Sequence, residues 1–340
     1  MISKLIKSSV AACAIAAFAT TSAWAAGDLA AAKKEGKVVW YCSIALPIAQ
    51  ELCNAFNAKK VGFDCVLHRS GSGKLFKRWL QEAKSNIFEA DILHTSNSGH
   101  FVSLQKEGAL IKYRPKGADR FPSTFKDADG YWSVLRAFAY VPAYNKTKVK
   151  AGDVPTSWLD LLDPKWGGGK MVQAHPSYSG SVSVGMSMLV KKFGWEYMDK
   201  LAALKPRIVQ SAVDTTTYIV RGESHVTSGS ASYNNFVAAQ KGEPIVMISP
   251  KEGVPFITSP QAIFKKAPHP NAAKLFSDWL FSLEAQQILA NRGLYVGHPD
   301  VKYPAAQIPL KKLKLMTMEP AEAKKMRKPV RKAFREKFGV

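Results

Sequence analysis

Between residues 37 and 94, short apolar runs alternate with segments whose apolar residues recur at helical spacing, and this restricts the possible folds more than any other feature. Lys37-Val38-Val39-Trp40-Tyr41 reads as a strand, and Ile48, Leu52, Cys53 and Phe56 share one face of a helix over 45–57. Residues 61–67 read as a second strand, and 73–83 as a second helix turning Leu75, Phe76, Trp79 and Leu80 inward. Ala90-Asp91-Ile92-Leu93-His94 reads as a third strand. Repeated strand–helix–strand units predict a parallel sheet with helices on both faces. In such sheets a ligand sits in the crevice beyond the carboxyl ends of the strands. The loops at those ends carry Ser43, then Ser70-Gly71-Ser72-Gly73, then Thr95-Ser96-Asn97-Ser98. All three are small, polar and rich in hydroxyls.

Beyond this block, residues 131–144 form a long apolar stretch without helical periodicity, suited to carry the chain into a second lobe. Strands are expected at 170–174 and 208–209, helices at 182–193 and 215–220, and extended chain at 225–228. Residues 244–249 and 256–263 then return the chain to the first lobe. Two amphipathic helices follow, 271–281 and 283–291. A last helix from 320 aligns Ala323, Met326, Val330, Phe334 and Phe338 on one stripe, with a bend expected at Pro329.

The amino terminus has the build of a secretory signal peptide. Lys4 and Lys7 precede an apolar stretch over 10–18, and Ala23-Trp24-Ala25 makes an A-x-A cleavage site. The apolar part is too short for a spanning helix. Residues 1–25 are therefore expected to be removed, with the mature chain in the periplasm. Formal net charge is +22, and residues 311–340 hold eleven Lys or Arg against three Glu. Basic patches can mark nucleic-acid surfaces. Export and the lack of any zinc-finger, basic-zipper or RNA-binding motif favour a solvated basic face instead. Three cysteines remain after residue 25: Cys42, Cys53 and Cys65. An odd number in an oxidising compartment suggests one disulfide and one leftover thiol, with Cys53–Cys65 favoured among three possible pairings.

Four segments carry a resemblance. Asp153-Val154-Pro155-Thr156-Ser157-Trp158-Leu159-Asp160-Leu161-Leu162-Asp163-Pro164-Lys165-Trp166 is similar to a P-x-S-W-x-D-L-x-D-P-x-W segment. The stretch from Asn271-Ala272-Ala273-Lys274-Leu275-Phe276 to Leu289 resembles an N-P-E-A-A-K-L-F…S-x-E-x-Q-x-x-L helix pair, shortened at its start. Glu252-Gly253-Val254-Pro255 matches an E-G-x-P turn, and Ala139-Tyr140-Val141-Pro142-Ala143-Tyr144-Asn145 an A-x-x-x-x-Y-N strand. Together they resemble the extracellular solute-binding proteins of the ferric-iron and organophosphonate type, the type II periplasmic binding proteins. The resemblance implies an α/β fold of two doubly wound lobes joined by two extended crossovers. Residues 26–135 plus 259–340 would form lobe one and 136–258 lobe two. It further implies a monomer that closes on a small ligand by a hinge and docks on an ABC permease in the inner membrane.

The expected site is a facing pair of helix amino termini. Ser70, Gly71 and Ser72 open one helix, and Tyr178, Ser179, Gly180 and Ser181 open another, so amides, hydroxyls and helix dipoles converge on an anion. Ordinary helix capping is the competing explanation for either loop alone. Ser43, Thr95, Ser96, Asn97 and Thr215 are added as loop or helix-start residues, with Trp132 and Tyr178 as an aromatic wall or simply core. Iron-binding members that this chain resembles place two adjacent tyrosines where Tyr233 is followed by Asn234. One phenolate is a poor cage for a trivalent cation, which favours an organic anion of phosphonate or carboxylate type over ferric iron. No metal or cofactor is expected. The seven histidines show no metal spacing and are expected mostly at the surface or in turns. No G-x-S-x-G elbow, S-x-x-K set or phosphate loop supports a secreted hydrolase.

Overall fold

The computed structural model describes residues 26–340, so the expected signal peptide lies outside the described residues. Helix α1 (Leu29–Glu35) is capped by Asp28, whose carboxylate accepts from the N–H groups of Ala30 and Ala31. Then come β1 (Lys37–Cys42), α2 (Leu46–Asn57), β2 (Asp64–Arg69), α3 (Ser72–Lys84), β3 (Ile92–His94) and α4 (Ser98–Lys106). A long strand, β4 (Ser133–Asn145), leads to β5 (Met171–Ala174), α5 (Gly180–Phe193) and α6 (Glu196–Ala203). Next are β6 (Arg207–Val209), α7 (Ala212–Val220), β7 (Val226–Ala231), α8 (Ser232–Gln240) and β8 (Ile245–Met247). The chain ends with β9 (Val254–Ile263), α9 (Pro270–Leu280), α10 (Leu283–Asn291), β10 (Leu315–Met316) and α11 (Pro320–Phe338).

The strands follow the order β2-β1-β3-β9-β4-β7-β5-β6, with β8 beside β4 and β10 beside β9. β1, β2 and β3 are mutually parallel, as are β5, β6 and β7, so each end of the order is a doubly wound α/β unit. Two long antiparallel strands connect them. The first half of β4 pairs with β9, from Ser133 opposite Gln261 to Ala139 opposite Phe256. Its second half pairs with β7, from Tyr140 opposite Ala231 to Tyr144 opposite Val226. β4 and β9 are the two extended crossovers, and the α/β architecture is as expected.

Local differences have local causes. β2 starts at Asp64 and not at 61, because Lys60 and Gly62 take positive φ values of 52° and 101° and turn the chain first. Helices α1, α4, α6 and α8 add to the pattern. α4 and α8 open on Ser98-Gly99-His100 and Ser232-Tyr233-Asn234-Asn235, residues that are weak helix formers and mask the periodicity. α11 runs through Pro329 and buries Ala323, Val330 and Phe334, while Met326 and Phe338 are half-buried. It packs on α4 and also on α5 and α6. Four of the seven histidines are partly exposed, and three depart from the expectation. His94 and His100 are wholly buried and His175 nearly so, each bonded or stacked in a packed interior.

Cys53 and Cys65 form the disulfide, pinning α2 to β2 with their Cα atoms 5.4 Å apart. Cys42 is free and buried, and burial pushes its thiol up to about 12. The bridge closes a 12-residue separation. In the loop-entropy picture, the double change Cys53→Ala with Cys65→Ala should cost about 3 kcal/mol. For a chain of this size that lowers the melting midpoint by roughly 5 °C. A midpoint unmoved by the double change or by reductant would show the bridge contributes no stability.

Candidate functional site

A small pocket lies where the two α/β units face each other. It is lined by Ser43, Arg69, Gly71, Ser72, Ser96, Phe138, Ser179, Ser181, Ser211, Ala212, Val213, Ala231 and Tyr233. Apart from Phe138 in β4, every one of these sits at or just past a strand end, or in the first turn of a helix. The reason is topological: parallel strands present all their carboxyl ends, and therefore all the following helix starts, on one edge. Four helices, α3, α5, α7 and α8, begin at this cavity, and their N-terminal dipole ends favour negative charge.

The hydroxyls fall into two bonded groups and one unpartnered serine. Ser179 caps α5 and lies 3.0 Å from Ser181 through their Oγ atoms. The Ser96 amide donates to Ser72 Oγ at 3.1 Å, and Ser259 Oγ donates to Ser96 Oγ at 3.1 Å. Ser43 Oγ is buried without a partner. On the far wall, Ser211 caps α7 in a capping box, so the Asp214 carboxylate is occupied by the Ser211 amide at 2.9 Å. Arg69 holds Ile44 O with its Nε at 2.9 Å. No carboxylate is among the lining residues.

The two units touch through backbone at the mouth. The Gly73 amide donates to Tyr178 O at 3.1 Å. A Cβ built on Gly180 would lie 2.8 Å from Ser72, and one on Gly71 would lie 2.7 Å from Tyr178 O. These glycines allow an approach that no side chain would.

Of the expected residues, Ser43, Gly71, Ser72, Ser96, Ser179, Ser181 and Tyr233 come together on the cavity, with Gly180 packed at its edge. Ser70 flanks them, its amide bonded to Cys42 O. The others are placed elsewhere. Thr95 Oγ1 faces His100 Nδ1 at 3.1 Å, and Asn97 caps α4 by accepting from the Gly99 amide. Thr215 Oγ1 returns to Ala212 O inside α7. Trp132 is core, in the same apolar cluster as Tyr41, Leu75 and Phe101. Tyr178 contributes its carbonyl to the mouth, while its ring is half-exposed beneath Lys74. Asn234 faces a separate surface groove with Pro47 and Asn54.

Sequence reading missed Arg69, Phe138, the residues 211–213 and Ala231. The Ser211-Ala212-Val213-Asp214 string is a capping-box signature and marks the helix start that brings Ser211 to the site. It also missed Arg136, directly behind the wall, whose Nη2 donates to Ser96 Oγ at 3.1 Å.

Comparisons with known proteins bear on the family and the fold. A probable ABC transporter periplasmic-binding protein of Sinorhizobium fredii is 25% identical over 255 residues, 69% of this chain and 67% of that one. The periplasmic binding protein AfuA of Actinobacillus pleuropneumoniae, solved with fructose-6-phosphate, superposes with a TM-score of 0.81 at 22% identity, over 90% of this chain and 99% of that one. Iron-bound HitA of Pseudomonas aeruginosa gives 0.76 at 23% identity, over 88% and 99%. Both superpositions establish the fold, that of the type II periplasmic binding proteins. The sequence profile of the bacterial extracellular solute-binding proteins matches residues 86–315, two-thirds of the chain, and the chain belongs to that family.

Proposed function

We propose that this solute-binding protein captures a small organic anion, of phosphonate or carboxylate type, and hands it to an ABC permease as a monomer. The lobes would be residues 26–135 plus 259–340 and residues 136–258, hinged on β4 and β9. Bound ligand bridges both and stabilises the closed form. One observation carries the reading: the cavity walls offer Arg69, four helix amino termini and six serine side chains, and no acid. That set matches negative oxygen atoms.

Ferric iron is the competing ligand, and related structures include iron-bound HitA. A trivalent cation needs several anionic oxygens, and the lining here supplies a single phenol, that of Tyr233. Among the described residues, no three His, Cys, Asp or Glu lie close enough together to hold a metal. A hydrolase would need an activated nucleophile, and among the described residues no serine of the cavity bonds to a histidine; recovery of the solute unchanged after unfolding tests this.

A thermal-shift panel on chain from residue 26, stripped by unfolding and refolding, tests this. It compares phosphonates, phosphate esters and carboxylates with ferric iron, alone and with citrate. A ligand at about a hundred times its dissociation constant adds about 2.7 kcal/mol, a shift of several degrees. Stabilisation by iron alone would overturn the reading. Ser72→Ala or Ser181→Ala should each weaken anion binding by about 1–3 kcal/mol in a calorimetric titration. Unchanged affinity removes that serine from the site.

A further inference from the structure

Arg136 is the one charged residue of β4 and is wholly buried. Its Nε donates to His94 Nε2 at 3.1 Å and its Nη2 to Ser96 Oγ at 3.1 Å. His94 Nδ1 is 2.9 Å from Pro260 O, which assigns the proton to Nδ1 and leaves Nε2 as the acceptor. Nη1 is buried with no partner at all. The guanidinium lies 5.1 Å from the Phe138 ring centroid and 5.3 Å from that of Tyr233. All of these neighbours are neutral contacts, and among the described residues no carboxylate pairs with Arg136. Burying an ion without a counter-charge is among the costliest arrangements a fold can keep.

The neighbours show where that charge is felt. Ser96, Phe138 and Tyr233 line the cavity, so Arg136 stands one side chain behind its wall, while Arg69 is in the wall. The titratable and charged groups facing Arg136 are Cys42 on β1, Arg69 at the end of β2, His94 on β3 and Tyr233 on α8. Burial holds His94 neutral, well below its ordinary range, and pushes the Cys42 thiol up to about 12.

We infer that Arg136 is a specificity-determining residue that acts without touching the ligand: together with Arg69 it sets two positive charges around the cavity and selects solutes bearing a doubly ionised phosphoryl or phosphonyl group over singly charged carboxylates. The inference rests on anion capture in this cavity. In a dry site the attraction scales with ligand charge, so a dianion gains about twice what a carboxylate gains from each cation. A phosphate monoester loses its second proton near pH 6. Its binding should therefore strengthen as pH rises through 6.

The experiment is calorimetric titration with matched pairs: glycerol phosphate and glycerate, a hexose 6-phosphate and a hexonate, aminoethylphosphonate and β-alanine. We expect the phosphorus member of at least one pair to bind about a hundredfold tighter, and its affinity to rise about tenfold from pH 5 to pH 7.5. Arg136→Gln should lower that affinity about a hundredfold, lower carboxylate affinity about tenfold, and flatten the pH profile. If the variant does not fold, the wild-type pairs and pH profile decide alone. Carboxylates binding as tightly as their partners, with a flat profile, overturn the inference and leave anion capture standing. A folded Arg136→Gln that keeps the full phosphoryl preference also overturns it. Binding of ferric iron and of no anion removes the proposed function itself.

Discussion

Gly73→Ala should leave the unliganded chain folded at its normal melting temperature and reduce anion affinity about a hundredfold, about 2.7 kcal/mol. Gly73 lies in the first turn of α3, outside the positive-φ region, so alanine suits the local backbone and is the better helix former by up to about 1 kcal/mol. The obstacle is across the mouth. A Cβ there would sit 2.1 Å from Ser177 O and 3.1 Å from Ser177 C. Both are backbone atoms, which cannot rotate away as a side chain would. If the units part when empty, the methyl group costs nothing in the open form and obstructs only the closed one. Calorimetry gives the affinity, and small-angle scattering should show that ligand no longer contracts the variant. Unchanged affinity would mean that this contact plays no part in closure. A melting point several degrees lower without ligand would mean that the two units stay packed at all times.

Trp158→Ala should be the most destabilising single change considered, at about 3–5 kcal/mol. The indole is wholly buried and nearly parallel to the Tyr140 ring, at a centroid distance of 6.3 Å. Its Nε1 donates to Gly253 O at 2.8 Å, and its amide donates to Glu252 at 3.3 Å. Ser157 also donates to Glu252. One side chain thus ties the loop after β4 to the turn before β9. Alanine opens a large void and leaves the Gly253 carbonyl unpaired. Trp158→Phe keeps most of the packing and loses the hydrogen bond, about 1–2 kcal/mol. Urea unfolding at constant slope separates the two cases. A loss below 1 kcal/mol for alanine would show that the surrounding residues collapse into the space.

The parts of this protein that were legible in its sequence are those where one physical period dominates. β1, α2, β2, α3 and β3 could be read because helical and extended spacing alternate cleanly from Lys37 to His94. The candidate site followed from that reading, since the loops after parallel strands must share an edge; this is why Ser43, Ser72 and Ser96 line one pocket. α4 stayed hidden because Ser98, Gly99 and His100 give no helical signal and several of its faces are buried. Trp132 stayed open between cavity wall and core, because an aromatic residue just before a strand looks the same whether it faces a cleft or a core. Arg136 was in plain view as a lone charge inside the apolar run 131–144, but nothing local says what a buried cation is waiting for. Its meaning depends on the distant residues Ser96 and Tyr233, which only the folded chain brings to it.

α11 has a practical use that follows from where it lies. Its first turns rest on α4, where a Cβ on Gly99 would lie 2.6 Å from the Lys324 amide nitrogen, while Glu322 pairs with Lys191 of α5. Its last turns hold Asp199 of α6 through Lys337, and Arg331 donates to Pro176 O at 3.2 Å. If the two units move on binding as proposed, a rod gripped by both takes up that motion as torsion at its weakest turn, here the turn where Pro329 lacks an N–H to donate. Lys328 is exposed beside that turn. A dye or spin label attached at position 328 would then report on occupancy of the proposed cleft from outside, a reagentless sensor with the candidate cavity left untouched.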